Sequence, residues 1–297
     1  MIRRRKVLFL AFVMACVGLS TNYAHALEAC TPAPPGLISW WPGDGDPEDI
    51  QDDNDGTLVS GAGFASGKVG QAFSFAGPND LVEVGNPANL NLSSGITLQA
   101  WVNPSQTPSA DDASLTGIFA IVTKWGQSAV TDAYGIWLRN PDGTVRLIGG
   151  IGIPLTSDGG FTGGIIPVGQ WSLVSMTYDG STGVNELYVN AQLVNSRVHF
   201  GGITQSNLNV LIGQEDSIYP RPFNGLIDEV QIYDRPLSLQ EILAEYDAGS
   251  AGKCKAPINV PEFASTPIAI AVASAAYLVM SRSRKGFGRG ARSNYQD

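Results

Sequence analysis

From Leu37 to Tyr233 the chain is built of short stretches that alternate or run apolar, separated by Gly, Pro, Asn and Asp. LISWW (Leu37–Trp41), AFSF (Ala72–Phe75), LVEV (Leu81–Val84), ITLQAWV (Ile96–Val102) and GIFAIVTK (Gly117–Lys124) form the first group. YGIWLR (Tyr134–Arg139), TVRLIG (Thr144–Gly149), WSLVSMTY (Trp171–Tyr178), NELYVN (Asn185–Asn190), LNVLIG (Leu208–Gly213) and LIDEVQIY (Leu226–Tyr233) follow. Apolar runs of this length with a period of two, bounded by turn formers, are strands. Roughly a dozen of them at turn-separated intervals predict an all-β, two-sheet antiparallel sandwich in one domain. One segment differs. In LSLQEILAEYDAG, Ser238 and Glu241 have capping-box spacing, apolar residues recur at Leu239, Ile242, Leu243 and Tyr246, and Gly249 can end the turn. This predicts one short C-terminal helix covering an edge of the sandwich. The glycine-rich stretch from Gly149 to Gly169 lacks either period and reads as a long loop rimming a ligand side.

The two ends have a different composition. MIRRRK, the apolar VLFLAFVMACVGL and the small-residue AHA (Ala24 to Ala26) have the three parts of an export signal, so residues 1–26 are expected to be removed. The remainder then works in an oxidising compartment. Cys16 leaves with the signal, and the mature chain keeps Cys30 and Cys254, one at each border of the strand-rich region. Paired, they would close a ring worth roughly 4 to 5 kcal/mol in the chain-entropy model. Residues 27–36 read as a linker and 37–256 as the sandwich.

Charge narrows the partners. Nine of the 18 Lys and Arg lie in the first 26 and last 16 residues, so between residues 27 and 281 nine bases face 26 of the 27 acids, a net charge of −17. Nucleic acid and anionic membrane surfaces both require positive charge and are excluded as partners of this region.

Several stretches in order resemble one family, the LamG-like jelly roll with its concanavalin A-like two-sheet sandwich. They are LISWWPGDGD, NDGTLVSGAGFASGKVGQAFSFAGPNDLVEVGN, ITLQAWVNPS, WSLVSMTYDGSTGVNELYVNAQLV and IGQEDSIYPRPFNGLIDEVQIYDRPLSLQEI. The resemblance runs from Leu37 to about Asp247 and implies the fold, and fold alone does not name a function. It departs at Asn190-Ala191, where such proteins usually carry glycine at the second turn position and an alanine sits less easily at positive φ.

Catalytic chemistry finds little support. His199 is the single histidine outside the signal, so a His-based triad would rest on it alone. Glycoside hydrolysis needs two carboxyl groups about 5 to 9.5 Å apart across the substrate. Asp228 and Glu229 are adjacent, and on a regular strand they would point to opposite faces. No enzyme activity is expected, with a divergent glycoside hydrolase as the weakest of the competing readings.

Calcium is a better use of the carboxylates, since the ion takes roughly 6 to 8 oxygens from acidic loops and carbonyls. The acidic loop GDGDPEDIQDDND lacks the EF-hand register. The resemblance implies a structural ion held by Asp228, joined by Asp80 or Asp44. A further likeness to pentraxins implies a ligand-contacting site at Glu215 and Asp216, with Asp132 at the earlier position and Ala133 replacing the second ligand there. For a glycan, Trp125 in TKWGQS is the tryptophan expected to be exposed for stacking. Asn91-Leu92-Ser93 is a glycosylation sequon.

The C-terminal stretch completes the picture. Ala264 to Met280 is an uncharged run of spanning length followed by arginines, so residues 264–281 read as a transmembrane helix and 282–297 as a basic cytoplasmic tail. In the linker 257–263, Pro261, Glu262 and Phe263 resemble the PEF-CTERM sorting motif. That implies cleavage by an archaeosortase or exosortase-type membrane enzyme and display at the cell surface. A permanent membrane anchor is the alternative. The sequence therefore predicts an exported, surface-displayed module for a glycan or a surface protein, or else a structural component of the envelope or matrix.

Overall fold

The computed structural model describes residues 30–109, 117–126, 131–152, 160–215 and 220–255. The expected leader and the segment from residue 256 onward, with its expected helix and Pro261, Glu262 and Phe263, lie outside the described residues. The chain divides into Met1–Cys254 and Lys255–Asp297, and the sandwich belongs to the first unit. Among the described residues no helix is long and apolar enough to cross a membrane.

The strands are β1 (Leu37–Trp41), β2 (Thr57–Val59), β3 (Gly63–Ser66), β4 (Gln71–Phe75), β5 (Leu81–Gly85), β6 (Gly95–Pro104) and β7 (Ile118–Lys124). They continue with β8 (Tyr134–Arg139), β9 (Arg146–Ile151), β10 (Phe161–Ile165), β11 (Ser172–Asp179), β12 (Val184–Val189), β13 (Gln192–Val198), β14 (Val210–Ile212) and β15 (Gly225–Tyr233). Helix α1 (Leu239–Ala248) follows. One sheet runs β13-β12-β11-β6-β15-β4-β3, with β1 also pairing β15, and the other runs β10-β9-β8-β7-β14-β5-β2. Neighbouring strands in both are antiparallel.

The two-residue period places the core. Phe73, Phe75, Val102, Met176 and Ile227 of the eight-stranded sheet meet Phe119, Ile121, Ile136, Leu147 and Ile212 of the seven-stranded one in a single buried cluster. Phe223 packs on the rings of both Phe75 and Phe119, joining the layers through aromatic contacts. At roughly 25 cal/mol for each Å² of apolar surface removed from water, this interface is the main stabilising term.

Three local outcomes depart from the pattern reading. Residues 161–165, inside the stretch expected to be a loop, form the edge strand β10 against β9. Its FTGGI sequence carries two glycines and little alternation, which hides a strand. The Asn190-Ala191 turn keeps its hairpin with φ of 51° and 58°, a type I′ geometry in which alanine takes the place usually given to glycine. Strand β15 is the third case. Its register against β6 shifts between Asp228 and Gln231, and Glu229 sits at φ 54°. Ile227, Val230 and Ile232 face the core, while Asp228 and Glu229 both lie on the other side, holding Lys68 and Val69 backbone and the Trp40 indole respectively. The bulge therefore corrects the expectation that these neighbours point to opposite faces.

Helix α1 forms as its capping residues predict. The Ser238 side chain accepts from the Glu241 N–H, and the Glu241 carboxylate accepts from the Ser238 N–H. The helix lies on the outer face of the eight-stranded sheet over β6 and β15, rather than at its edge. Ile242 joins Trp101, Leu173 and Tyr233 in a second apolar cluster there, and Tyr246 stacks on Trp101. Arg235 and Glu241 pair at 2.6 Å, and this guanidinium beside it holds the Glu241 carboxyl down at about 2.

Cys30 and Cys254 form the expected disulfide, with their Cα atoms 4.9 Å apart and a sequence separation of 224. A parallel bridge between Thr31 and Lys253 aligns the two ends, with Thr31 N–H donating to Gly252 and Cys254 N–H donating back to Thr31. Replacing both cysteines by serine is expected to lower the unfolding free energy by about 4–5 kcal/mol in urea titrations. A loss below about 1 kcal/mol would mean that the hydrogen-bonded ends hold the ring closed without it.

Candidate functional site

The outer face of the seven-stranded sheet is shaped by alternation in β8. Tyr134, Ile136 and Leu138 point into the core, which leaves Gly135 and Trp137 outward. Gly135 pairs with Gly150 across the β8–β9 ladder. A Cβ on Gly135 would come within 2.5 Å of the Trp137 ring, and one on Gly150 within 3.1 Å of Trp137 and 3.4 Å of Trp125. The two glycines thus provide a bare stretch of backbone on which an indole can lie close. Trp125, just past β7, meets Trp137 edge-on with centroids 5.3 Å apart and planes at 85°. Ile118, Ala120 and Ile148 complete this apolar platform.

Polar groups fix it from one side. Trp137 Nε1 donates to Glu215 Oε2 at 2.6 Å, and Arg221 Nη1 reaches the same oxygen at 2.7 Å. Both members of the Arg221–Glu215 pair are buried, so the carboxylate is held as an anion by a charge and an indole N–H together. Gln214 ties this loop in two directions, accepting from the Arg221 N–H and donating to the Pro78 carbonyl. Asp132 accepts from the Gly126 N–H at 3.0 Å, next to Trp125 in the chain. Lys124 is buried beneath, donating to Asn86 Oδ1 and the Leu208 carbonyl, and burial lowers its ammonium to about 8.

Beside Trp125 opens a cavity of about 540 Å³. Leu81, Leu208 and Leu211 form its apolar wall, and Asn79, Asn207, Gln214, Glu83 and Glu215 its polar one. Asn209 Nδ2 donates to Glu83 Oε1 at 2.6 Å, orienting that carboxylate at the mouth. Trp137 is 3 % exposed whereas Trp125 is only half-buried. Trp125 is the aromatic face that reaches the opening, and Trp137 is its support. A half-buried indole ringed by amides and carboxylates can stack on a flat apolar ring face and exchange hydrogen bonds with hydroxyls.

The other expected site residues do not gather here. Asp228 Oδ2 accepts from the N–H groups of Lys68 and Val69 at 2.7 and 2.9 Å, and Asp44 Oδ1 accepts from Gln71 N–H at 2.8 Å. Together they grip the turn between β3 and β4. Asp80 works on another pair of loops, accepting from Gly61, Ala76 and Gly77. Desolvation opposes its ionisation, but these three N–H groups hold its carboxyl below the usual range. Each of the three carboxylates thus serves backbone donors. Among the described residues no three His, Cys, Asp or Glu side chains converge as a metal site, and what Asp228, Asp80 and Asp44 share is acceptance from backbone N–H groups. Of the second set, Glu215 and Asp132 support the tryptophan platform, and Asp216 lies outside the described residues. Asn91 is half-buried at the end of the turn Ala88–Leu90 and donates to Asn86 Oδ1 at 3.3 Å.

Sequence reasoning singled out Trp125 for exposure and did not single out Trp137, Gly135, Gly150 or Arg221, which the structure gathers around it. A signal was present in YGIW and in the glycine pair 149–150, where glycines alternate with an aromatic on one face of adjacent strands.

A family model described as the concanavalin A-like lectin/glucanases superfamily matches residues 76–243. No curated protein matches the chain in sequence. Among solved structures, domain 4 of AbnA, a GH43 extracellular arabinanase from Geobacillus stearothermophilus in complex with arabinotriose, is 21% identical with a TM-score of 0.53. That match covers 70% of this chain and 96% of the other. The binding domain of Paraclostridial Mosquitocidal Protein 1 is 17% identical with a TM-score of 0.52, over 71% of this chain and 52% of that one. The receptor binding domain of botulinum neurotoxin C/D mosaic serotype is 13% identical with a TM-score of 0.51, over 71% and 51%. The chain spans about half the length of the last two, and at these identities the likeness is one of fold.

The close approach of Trp137 to Gly135 yields a direct test. Gly135→Ala is expected to push the ring off its seat, destabilise the protein by about 1–3 kcal/mol and shift its tryptophan fluorescence. An unchanged urea midpoint and emission spectrum would show that the glycine floor does not position the indole.

Proposed function

The chain belongs to the concanavalin A-like lectin/glucanases superfamily, and from that premise we propose that it is an exported, surface-displayed module that binds a glycan in the cavity beside Trp125. The observation that carries this reading is the Trp125 indole, braced edge-on by Trp137 and half-buried at the mouth of a cavity lined by amides and carboxylates. Sugar rings present apolar faces for such an indole and hydroxyls for Asn79, Asn207 and Gln214. The cavity has the volume of a small-ligand site, within the range of roughly 300–1,000 Å³. Neighbours described as binding domains, and one solved with an arabinose trisaccharide, support a binding role without naming this chain's ligand.

The reading assigns no hydrolysis. Among the described residues Glu83 and Glu215 are the carboxylates on the cavity wall, and Glu215 is engaged by Arg221 and Trp137. Recognition here draws on aromatic and polar side chains rather than on calcium. Display at the surface would follow from export through residues 1–26 and processing at Pro261, Glu262 and Phe263 by a sorting enzyme.

A glycan array that includes arabinotriose, run with calcium and again with chelator, tests the proposal. Binding unaffected by chelator is expected, with Trp125→Ala reducing affinity about tenfold, or 1.4 kcal/mol, while near-ultraviolet circular dichroism stays native. Absence of binding to any glycan, or full affinity in the Trp125→Ala variant, would overturn it.

A further inference from the structure

The outer face of the eight-stranded sheet buries charges that the proposed binding site does not use. Lys253 is 3 % exposed, Glu245 2 % and Glu229 1 %, and Gln99 and Gln231 lie fully buried beside them. The buried stripe of α1 consists of Ile242, Glu245 and Ala248, which puts a carboxylate at the centre of the face a helix normally fills with apolar side chains. Lys253 is delivered beneath it by the Thr31–Lys253 bridge and the adjoining Cys30–Cys254 disulfide.

The groups meet in a defined order. Lys253 Nζ pairs with Glu245 Oε2 and donates to Gln231 Oε1 at 2.5 Å. Gln99 Nε2 donates to Glu245 Oε2 and Gln231 Nε2 to Glu245 Oε1, both at 2.9 Å. Glu229, at φ 54° in the β15 bulge, accepts from Trp40 Nε1 at 2.6 Å, and its charge acts on Lys253. A strained backbone held in place beside buried reactive groups is a recurrent feature of functional positions. Burial pushes the Lys253 ammonium well below the usual lysine range, with the Glu229 charge opposing that shift, which favours the neutral amine.

We propose that Lys253 and Glu245 condense into an intramolecular isopeptide bond, with Glu229 as the proton shuttle and Gln99 and Gln231 each holding one of the two carboxyl oxygens. Proton transfer within the pair gives a neutral amine and a carboxylic acid, the forms that a dry interior favours. The Nζ lone pair attacks Glu245 Cδ and the C–N bond forms. Gln99 Nε2 and Gln231 Nε2 are directed at different carboxyl oxygens, so the one on the retained oxygen stabilises the negative charge that develops there and the other holds the oxygen that departs. Glu229 takes a proton from the nitrogen and passes it to the departing hydroxyl, the C–O bond breaks, and water leaves. No oxidant or cofactor is consumed. Two buried charges whose desolvation is costly become one neutral amide whose carbonyl keeps the glutamine hydrogen bond on the retained oxygen. The product ties α1 to the segment that leaves the sandwich, a covalent lock beside the disulfide.

Peptide mass mapping of the full chain decides the matter. Cleavage before Asp234 and before Asp247 places Glu245 and Lys253 on different peptides, so after reduction the bond appears as a branched peptide about 18 Da, one water, below the sum of the two. That species is expected in the folded, disulfide-bonded protein and absent from Glu245→Ala and Lys253→Ala. Glu229→Gln, which keeps a hydrogen-bond acceptor for Trp40, is expected to fold and to yield unlinked peptides. Separate, unmodified peptides from the folded wild-type chain would overturn the proposal. So would a loss of about 17 Da, which would mean ammonia released from a glutamine, and a branched peptide persisting in Glu229→Gln would overturn the shuttle role.

Discussion

Strand β15 runs through the centre of its sheet with a displaced register, and the surrounding elements are fixed by what that displacement exposes. One edge pairs with β6 on both sides of the bulge, while the other is shared between β4 at Gly225–Ile227 and β1 at Val230–Tyr233. The bulge falls between these partners. It lets Ile227, Val230 and Ile232 all reach the core while Asp228, Glu229 and Gln231 stay on the outer face. A regular strand would send one of two successive carboxylates into the apolar interior, where an unpaired charge costs several kcal/mol. Positive φ at Glu229 costs roughly 1–2 kcal/mol, a smaller penalty. In return Asp228 holds the β3–β4 turn, Glu229 holds Trp40 of the first strand, and Gln231 holds Glu245 of the helix and Lys253 of the terminal segment.

Closure of one face determines which face remains for a ligand. The outer side of the eight-stranded sheet is covered by α1, by the Trp101–Tyr246 stack and by the buried polar network around Glu245. The outer side of the seven-stranded sheet carries no helix among the described residues. Its tryptophans rest on a floor of paired glycines, and its loops are tied by Gln214, Asp132 and Arg221 around a cavity. Rigid support around a partly open aromatic is the arrangement that allows binding without ordering cost at the moment of contact.

Much of the sandwich was legible in the sequence because half-buried strands have to alternate. Strands β1, β6, β8 and β15 match their apolar runs nearly residue for residue, and α1 matches its capping box. The short edge strands were not legible. GFAS of β3 and FTGGI of β10 bury little. For the site, Trp125 was legible because it stands at a strand end, but Trp137 lies within a strand, where core packing is the default expectation. Only the glycine opposite it, brought across by the β8–β9 ladder, turns that strand position into a platform. Acidic residues were the least legible. Composition cannot distinguish an oxygen kept for a metal from one that accepts backbone N–H groups, as Asp80 and Asp228 do.

The central claim is that ligand meets the seven-stranded sheet and not the closed face. It can be read from the indole N–H resonances of the full chain during titration with an oligosaccharide that scores on the glycan array. The account predicts concentration-dependent shifts of Trp125, with a smaller response from Trp137, while Trp40, Trp41 and Trp101 stay in place. Shifts confined to Trp40 and Trp101, with Trp125 unmoved, would put the ligand on the opposite sheet and contradict it.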